Sequence, residues 1–223
     1  MYLDPTDYLQ RRILCEGVWE QAETNCIRSV LRAGDVFIDV GANIGYFTLL
    51  AATLVGKTGT ILSIEPNHTA AQRLRQHLDR NGFPNVLVEE VACSDSNREE
   101  LLHLNELSNC GASSLSSRNA TGREIKVKCA TVDELVKKYK FPQVSLVKID
   151  VEGAELQVLR GMAFTLMRLR PVLLIELEPV LLKGFDVTPG DVMAYLDTMG
   201  YIPSPINASK NCLFSPSTKY SGA

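Results

Sequence analysis

The chain has 223 residues, 45% of them hydrophobic, with 15 Gly and 10 Pro, which is enough for one well-packed domain and short for two. Its 23 basic and 26 acidic residues are mixed along the chain and leave a formal charge of −3 and a pI near 5.7, so there is no electrostatic reason to expect a nucleic-acid or anionic-membrane partner. Asp4 and Asp7 precede any basic residue and no apolar run follows them, which argues against a secretory signal, and the stretches Phe47 to Val55 and Pro171 to Ile175 are well short of the ~20 residues that span a bilayer.

The first 33 residues read as an N-terminal helical cover, in which Trp19 is either a packing anchor or part of a flap over the active site. From residue 34 a single domain is expected, with short β-branched runs alternating with amphipathic stretches: VFIDV (36 to 40), TILSIE (60 to 65), NVLVEEV (85 to 91), SLVKID (145 to 150) and PVLLIEL (171 to 177). Such alternation predicts an α/β fold, a mostly parallel sheet with helices on both faces. The intervening helices are expected over Ile44 to Val55, over Thr69 to Asn81 with Gly82 and Pro84 as stops, and from Thr131, where Thr131 and Glu134 form a capping-box pattern. Another is expected from near Gly153, and a last one is announced by Thr188, Pro189 and Asp191. Residues 94 to 129 break the pattern as an insertion, with Asn, Ser and Gly clustered through NELSNCGASSLSSRNATG and short extended runs on either side, read either as a solvent-exposed, partly disordered insertion or as a lid or substrate-binding loop over the C-terminal edge of the sheet. The tail from Pro203 is expected to hold one short strand, NCLF (211 to 214).

The cysteines at 15, 26, 93, 110, 129 and 212 form no C-x-x-C pair and read as reduced, mostly buried thiols of a cytoplasmic protein. The Asn-x-Ser/Thr triplets at Asn67, Asn119 and Asn207 are therefore taken as chance occurrences.

The sharpest signal is DVFIDVGANIGYFTLL, a strand ending near Asp39 and followed by Gly41, Ala42, Asn43 and Gly45 at the entry to a helix. Glycines let the chain turn tightly and present main-chain N–H groups to a polar ligand. A dinucleotide fingerprint wants a second glycine where Asn43 stands, so pyrophosphate would be approached poorly, and the Walker-type lysine is missing. Asp39 would repel a phosphate but attract the ammonium group of an amino-acid moiety, which favours a cofactor with a methionine-like end. Glu65, followed by Pro66 at the end of the next strand, is positioned to accept both hydroxyls of a ribose.

With these motifs the sequence resembles the FkbM-type family of S-adenosylmethionine-dependent O-methyltransferases. The resemblance runs from Asp4 and Pro5 through GDVFIDVGANIGYFT (34 to 48), SIEPN (63 to 67) and VKIDVEGAELQVLRG (147 to 161) to LIELEP (174 to 179). It implies a seven-stranded Rossmann-like sheet with S-adenosylmethionine across its C-terminal edge. It also implies cofactor contacts from the motifs holding Asp39, Gly41, Ala42, Asn43, Gly45, Glu65 and Pro66, with Ala92, Cys93 and Ser94 near the adenine. The acceptor it implies is a hydroxyl of a small molecule such as a sugar or polyketide-type metabolite.

Methyl transfer is an in-line displacement, so the site needs alignment and help in removing the hydroxyl proton. Asp150 and Glu152 follow one strand, and Glu176 and Glu178 are spaced to share one side of the next. Two readings are open: Asp150 or Glu152 is the base with Lys148 tuning the local charge, or several of these acids hold Mg²⁺. Alternatively, Glu152 caps the helix at Gly153 and Lys148 only pairs with an acid. His103 is an alternative base, and Tyr46 and Phe47 are expected to anchor the helix after the glycine loop. A cofactor-binding scaffold without activity and, less favoured, a nicotinamide dehydrogenase are the competing functions.

Overall fold

The computed structural model describes residues 1–104, 113–119, 122–206 and 210–218. After helices α1 (Tyr8–Glu16) and α2 (Gln21–Val30), the chain enters β1 (Val36–Val40), α3 (Tyr46–Val55), β2 (Thr60–Ile64), α4 (His68–Asn81) and β3 (Val86–Glu89). The short strands β4 (Ala92–Cys93), β5 (Arg98–His103) and β6 (Glu124–Ala130) follow. The second half runs α5 (Val132–Tyr139), β7 (Leu146–Ile149), α6 (Glu155–Arg160), β8 (Val172–Glu176), α7 (Pro179–Leu182), α8 (Pro189–Thr198), β9 (Tyr201–Pro205) and β10 (Asn211–Pro216).

Seven strands form one sheet in the order β3-β2-β1-β7-β8-β10-β9. The first five are parallel, with Val36 beside Thr60 and Phe37 beside Leu146, and β10 runs antiparallel between β8 and β9. All five residues of β1 are buried, as a central strand covered on both faces requires. Its alternating side chains feed two cores. Phe37 packs with Ile27, Phe47, Ala51 and Leu174 on one face, and Ile38 and Val40 pack with Leu62, Ile149, Leu173 and Val158 on the other. Chain order reverses between β1 and β7, which opens a crevice at the carboxyl ends of the parallel strands.

Local chemistry explains most boundaries. Asn67 caps α4 by accepting from the Thr69 amide, and Thr188 and Asp191 form a reciprocal capping box ahead of Pro189. The helix expected from Ile44 begins at Tyr46 because Asn43 and Gly45 hold left-handed backbone. The one expected at Gly153 begins at Glu155, the turn before it being taken by left-handed Glu152 and Gly153. Two expectations are corrected. Within the described residues the insertion is no exposed loop: β4, β6 and β5 form a second sheet, with Leu102, Val127 and Cys129 in a core of their own. The tail holds two strands, the missed one being β9, whose Pro203 and Pro205 are tolerated because it lies at the sheet edge. Residues 105–112 of the insertion, including Cys110, and the triplet at Asn207 lie outside the described residues. Among the described residues, no helix is long and apolar enough to cross a membrane.

Candidate active site

The crevice is a cavity of about 290 Å³, near the lower end of small-molecule sites. Its wall takes in the glycine loop, the ends of β2 and β7, β4, the end of β8, and Leu9, Trp19 and Glu20 from the N-terminal helices.

Gly41, Ala42 and Asn43 stand in this wall, as do Glu65 and Pro66. Gly41 has φ +83, and a Cβ there would come within 1.8 Å of the Asp150 carbonyl oxygen, so only glycine lets the loops after β1 and β7 meet. The Glu65 carboxylate is held by two backbone amides, Asn43 to Oε2 and Asn67 to Oε1, each at 2.8 Å. It thus fixes the glycine loop while facing the cavity. Burial pushes its pKa up to about 7, the two amides acting in the opposite sense. Asn43 Oδ1 is buried without a hydrogen-bond partner, an acceptor left for a ligand. Ala92 and Cys93 line the wall from β4, and burial pushes the Cys93 thiol up, which suits a packing role.

Two residues of the glycine motif lie off the wall. Asp39 is buried behind the loop, where its Oδ2 accepts from Thr48 Oγ1 at 2.7 Å and Thr48 is 2.8 Å from Ser63 Oγ. Gly45 is the left-handed residue before α3, and a Cβ there would meet Leu74 Cδ1 at 2.3 Å, so its lack of a side chain serves the contact with α4.

The same wall brings Lys148, Asp150, Glu152 and Glu176 together. Lys148 is buried, with Nζ 2.8 Å from Asp150 Oδ2 and 4.7 Å from the centre of the Phe47 ring. Phe47 therefore anchors α3 and also floors this charge. Burial acts against the Lys148 ammonium, but Asp150, Asp39 and Glu20 outweigh it and hold it above the ordinary lysine range. Burial likewise acts against the Asp150 carboxylate, and Lys148 outweighs it, so Asp150 stays ionised. Glu152 is pushed up to about 8 by burial and by the Asp150 and Glu155 charges. Glu176 is pushed up to about 10 by burial and by Asp150 and Glu152, which makes it a neutral acid that donates a hydrogen bond to Asp150.

Several expected roles fall elsewhere. Glu178 does not share the cavity side with Glu176; its carboxylate caps α7 by accepting from Val180 and pairs with Lys210. Glu152 does not cap α6. Instead Glu155 accepts from the Val151 and Gly153 amides at 3.2 and 3.1 Å. His103 pairs with Glu124 across β5 and β6 at 3.3 Å rather than reaching the cavity. Among the described residues no three His, Cys, Asp or Glu side chains are arranged to hold a metal ion, so the Mg²⁺ reading gains no support. Asn119 is buried in hydrogen bonds to backbone carbonyls and Asn67 caps a helix, so neither side chain is free for a glycan.

Sequence reasoning missed Glu20 and Lys210, both in the wall. Glu20 precedes α2 with left-handed φ +43 and makes no capping bond; burial pushes its carboxyl up to about 7 while Lys148 pulls the other way. Neither residue belongs to a motif, and only the return of α2 and β10 to the sheet edge brings them in.

Residues 39–203 match the methyltransferase FkbM domain family. The hexuronic acid methyltransferase AglP of Haloferax volcanii is 29% identical over 155 residues, covering 66% of this chain and 61% of that protein, so the chain spans about three fifths of that relative's length. Among solved structures, a methyltransferase FkbM from Methylobacillus flagellatus aligns with TM-score 0.57 and 16% identity over 86% of this chain and 50% of that one. A methyltransferase of Streptococcus mutans in complex with SAH aligns with TM-score 0.52 and 12% identity over 87% of this chain and 94% of that one. At these identities the structural likeness is one of fold, the Rossmann-like fold of class I methyltransferases.

Proposed function

The chain belongs to the FkbM methyltransferase family, and from that premise we propose that it transfers a methyl group from S-adenosylmethionine to a hydroxyl of a small molecule, of sugar or polyketide type. The observation that carries this reading is the meeting of two chemically different sets of groups in the wall of one cavity. One set is the unpartnered Asn43 acceptor and the loop-bound Glu65; the other is the Lys148, Asp150, Glu152 and Glu176 cluster.

The first set fits the cofactor. Asn43 Oδ1 offers an acceptor to the amino-acid moiety, and Glu65 has lone pairs left for ribose hydroxyls beyond the two amides it holds. Ala92 and Cys93 give an apolar wall suited to adenine. When bound, S-adenosylmethionine supplies a sulfonium methyl that an oxygen nucleophile displaces in line. In the second set Glu152 is the base: its affinity for a proton lies near neutrality, where a carboxylate removes a hydroxyl proton most effectively. Asp150 is committed to Lys148 and to the Glu176 proton, so it orients the cluster and supplies fixed charge. This division of labour needs no metal ligand set. The acidic set also suits an uncharged acceptor better than an anionic one, and the N-terminal segment, through Leu9, Trp19 and Glu20, covers the cavity as residues 1–33 of the proposed organisation.

Calorimetric titration with S-adenosylhomocysteine and separately with NAD tests the cofactor. Selective binding of S-adenosylhomocysteine is expected, at least about tenfold weaker in Glu65→Ala because charge-assisted hydrogen bonds are each worth about 1.5–3 kcal/mol. Binding with no methyl transfer to any of a panel of hydroxylated metabolites would favour a cofactor-binding scaffold. Preference for NAD would overturn the proposal.

A further inference from the structure

Residues 113–119 of the insertion lie across the loops that follow β7 and β8. Ser114 Oγ donates to the Glu152 carbonyl at 2.8 Å; Asn119 Nδ2 donates to the same carbonyl at 3.0 Å and to that of Leu181 at 2.8 Å. Ser116 Oγ donates to the Gly184 carbonyl at 2.9 Å, and Arg118 pairs with Asp186 at 2.9 Å. Asn119 sits tightly against the turn after β8: a Cβ on Gly184 would lie 2.3 Å from its Oδ1, and one on Gly153 would lie 2.4 Å from the Leu181 carbonyl oxygen that Asn119 holds and 2.9 Å from Asn119 Nδ2.

The carbonyl held from the insertion belongs to a residue with φ +56, a left-handed backbone that a glutamate adopts only when its surroundings impose it. From beneath, Glu155 Oε1 holds the amides on either side of Glu152. None of Ser114, Asn119 and Glu155 lines the cavity, whereas Glu152 does. The three hold its main chain and leave its carboxyl facing inward.

We propose that Asn119, assisted by Ser114, is a positioning residue for Glu152: by gripping the Glu152 carbonyl from the insertion it keeps the left-handed backbone that turns this carboxyl into the cavity. The proposal rests on the reading of Glu152 as the base. It gives the insertion a catalytic purpose, because the same asparagine also grips the turn after β8, the strand that ends at Glu176. The charged groups facing Glu152 are Asp150 and Lys148 from β7 and its end, Glu155 from α6, Glu176 from β8 and Lys210 ahead of β10. Released from the grip, Glu152 relaxes toward water and away from Asp150, and its hold on a proton weakens.

The test is titration of the Glu152 carboxyl by NMR in protein carrying ¹³C-labelled glutamate, the resonance being identified by its loss in Glu152→Gln. In the native chain the midpoint is expected near 8. In Asn119→Ala it is expected to fall by about one unit or more toward the ordinary glutamate value. Asn119→Leu, which keeps the size but removes the donor without adding a charge, should fall equally, and Ser114→Ala should fall less. S-adenosylhomocysteine binding, read by calorimetry, should stay unchanged in all three. A native-like midpoint in both Asn119 variants, or one retained by Leu and lost by Ala, would overturn the hydrogen-bond role while leaving Glu152 as base. An ordinary midpoint in the native chain would overturn the base reading and the positioning role together.

Discussion

Glu152 and Glu65 are both buried carboxyls with raised proton affinities, yet the structure engages them in opposite ways. Glu65 is gripped by main-chain amides at both oxygens, and Glu152 is gripped only through its own backbone, so the first is a fixed acceptor and the second keeps its carboxyl free. The base must be ionised to work, so methyl transfer should rise with pH and level off above about 8, measured as kcat/KM at saturating cofactor. Glu152→Gln should remove that rising limb and lower the rate by about 10²- to 10⁴-fold, the usual worth of a general base. Ribose hydroxyls donate best to an ionised carboxylate, so S-adenosylhomocysteine affinity should strengthen as pH rises through about 7, and Glu65→Gln should flatten this dependence in calorimetric titrations. Glu65 and Asp150 could be picked out in the sequence as acids just past β2 and β7, and Glu152 as the next acid in the loop after β7. Glu20, Lys210 and Asn119 could not, because what they touch is fixed by chain segments distant in sequence: Asn119 meets Glu152 across 33 positions. Asp39 was legible as a strand-end acid, but the hydroxyls of Thr48 and Ser63 that take it out of the cavity wall are set by packing of α3 and β2, which no spacing rule reveals.

At the scale of elements, hydrophobic periodicity and end signals located β1, β2, β7, β8, α4, α5 and α8 to within a residue or two, because their caps and their burial agree. What was missed was β9 and the pairing of the extended runs around the insertion into a second sheet. The strands β5 and β6 alternate polar and apolar residues beside a stretch rich in Asn and Ser, and prolines in β9 read as a break although an edge strand accepts them. The two glycines that flank Asn43 separate element contacts of different hardness. Gly41→Ala drives a Cβ against the Asp150 main chain, which cannot yield without parting the loops, so a loss of about 3 kcal/mol or more is expected in urea denaturation. Gly45→Ala meets the end of the Leu74 side chain, which can turn aside, so a smaller loss of about 1–3 kcal/mol is expected from overpacking and the positive φ. Equal losses would mean that the contact between the loops after β1 and β7 is softer than its geometry.

At the scale of the molecule, the cavity is closed by parts that meet only in the finished fold. The N-terminal segment is tied down far from its own sequence: Gln10 Oε1 accepts from Arg73 of α4 at 2.9 Å, and His77 lies 2.8 Å from the Ile44 carbonyl and 3.0 Å from that of Tyr2. Tyr46 of α3 lies 3.3 Å from Thr24 of α2. A ligand that joins these walls should stabilise the whole chain. S-adenosylhomocysteine at about 100 times its Kd is expected to add ~2.7 kcal/mol and raise Tm by a few degrees in calorimetric scans. The same scans with NAD should show no rise.

The antiparallel placement of β10 has a consequence for how the chain is made. β8 pairs with β7 on one side, but its other edge and the whole of β9 wait for β10, which comes last in sequence and lies between them. As the polypeptide is synthesised, the five parallel strands can assemble while β8 still presents a raw, apolar edge of Leu173, Leu174 and Ile175. β9 joins the sheet only through β10, so this edge stays open until the last strand is made. During that interval the nascent protein is most open to strand-to-strand capture by other chains, and early termination within β10 would make the exposed edge permanent.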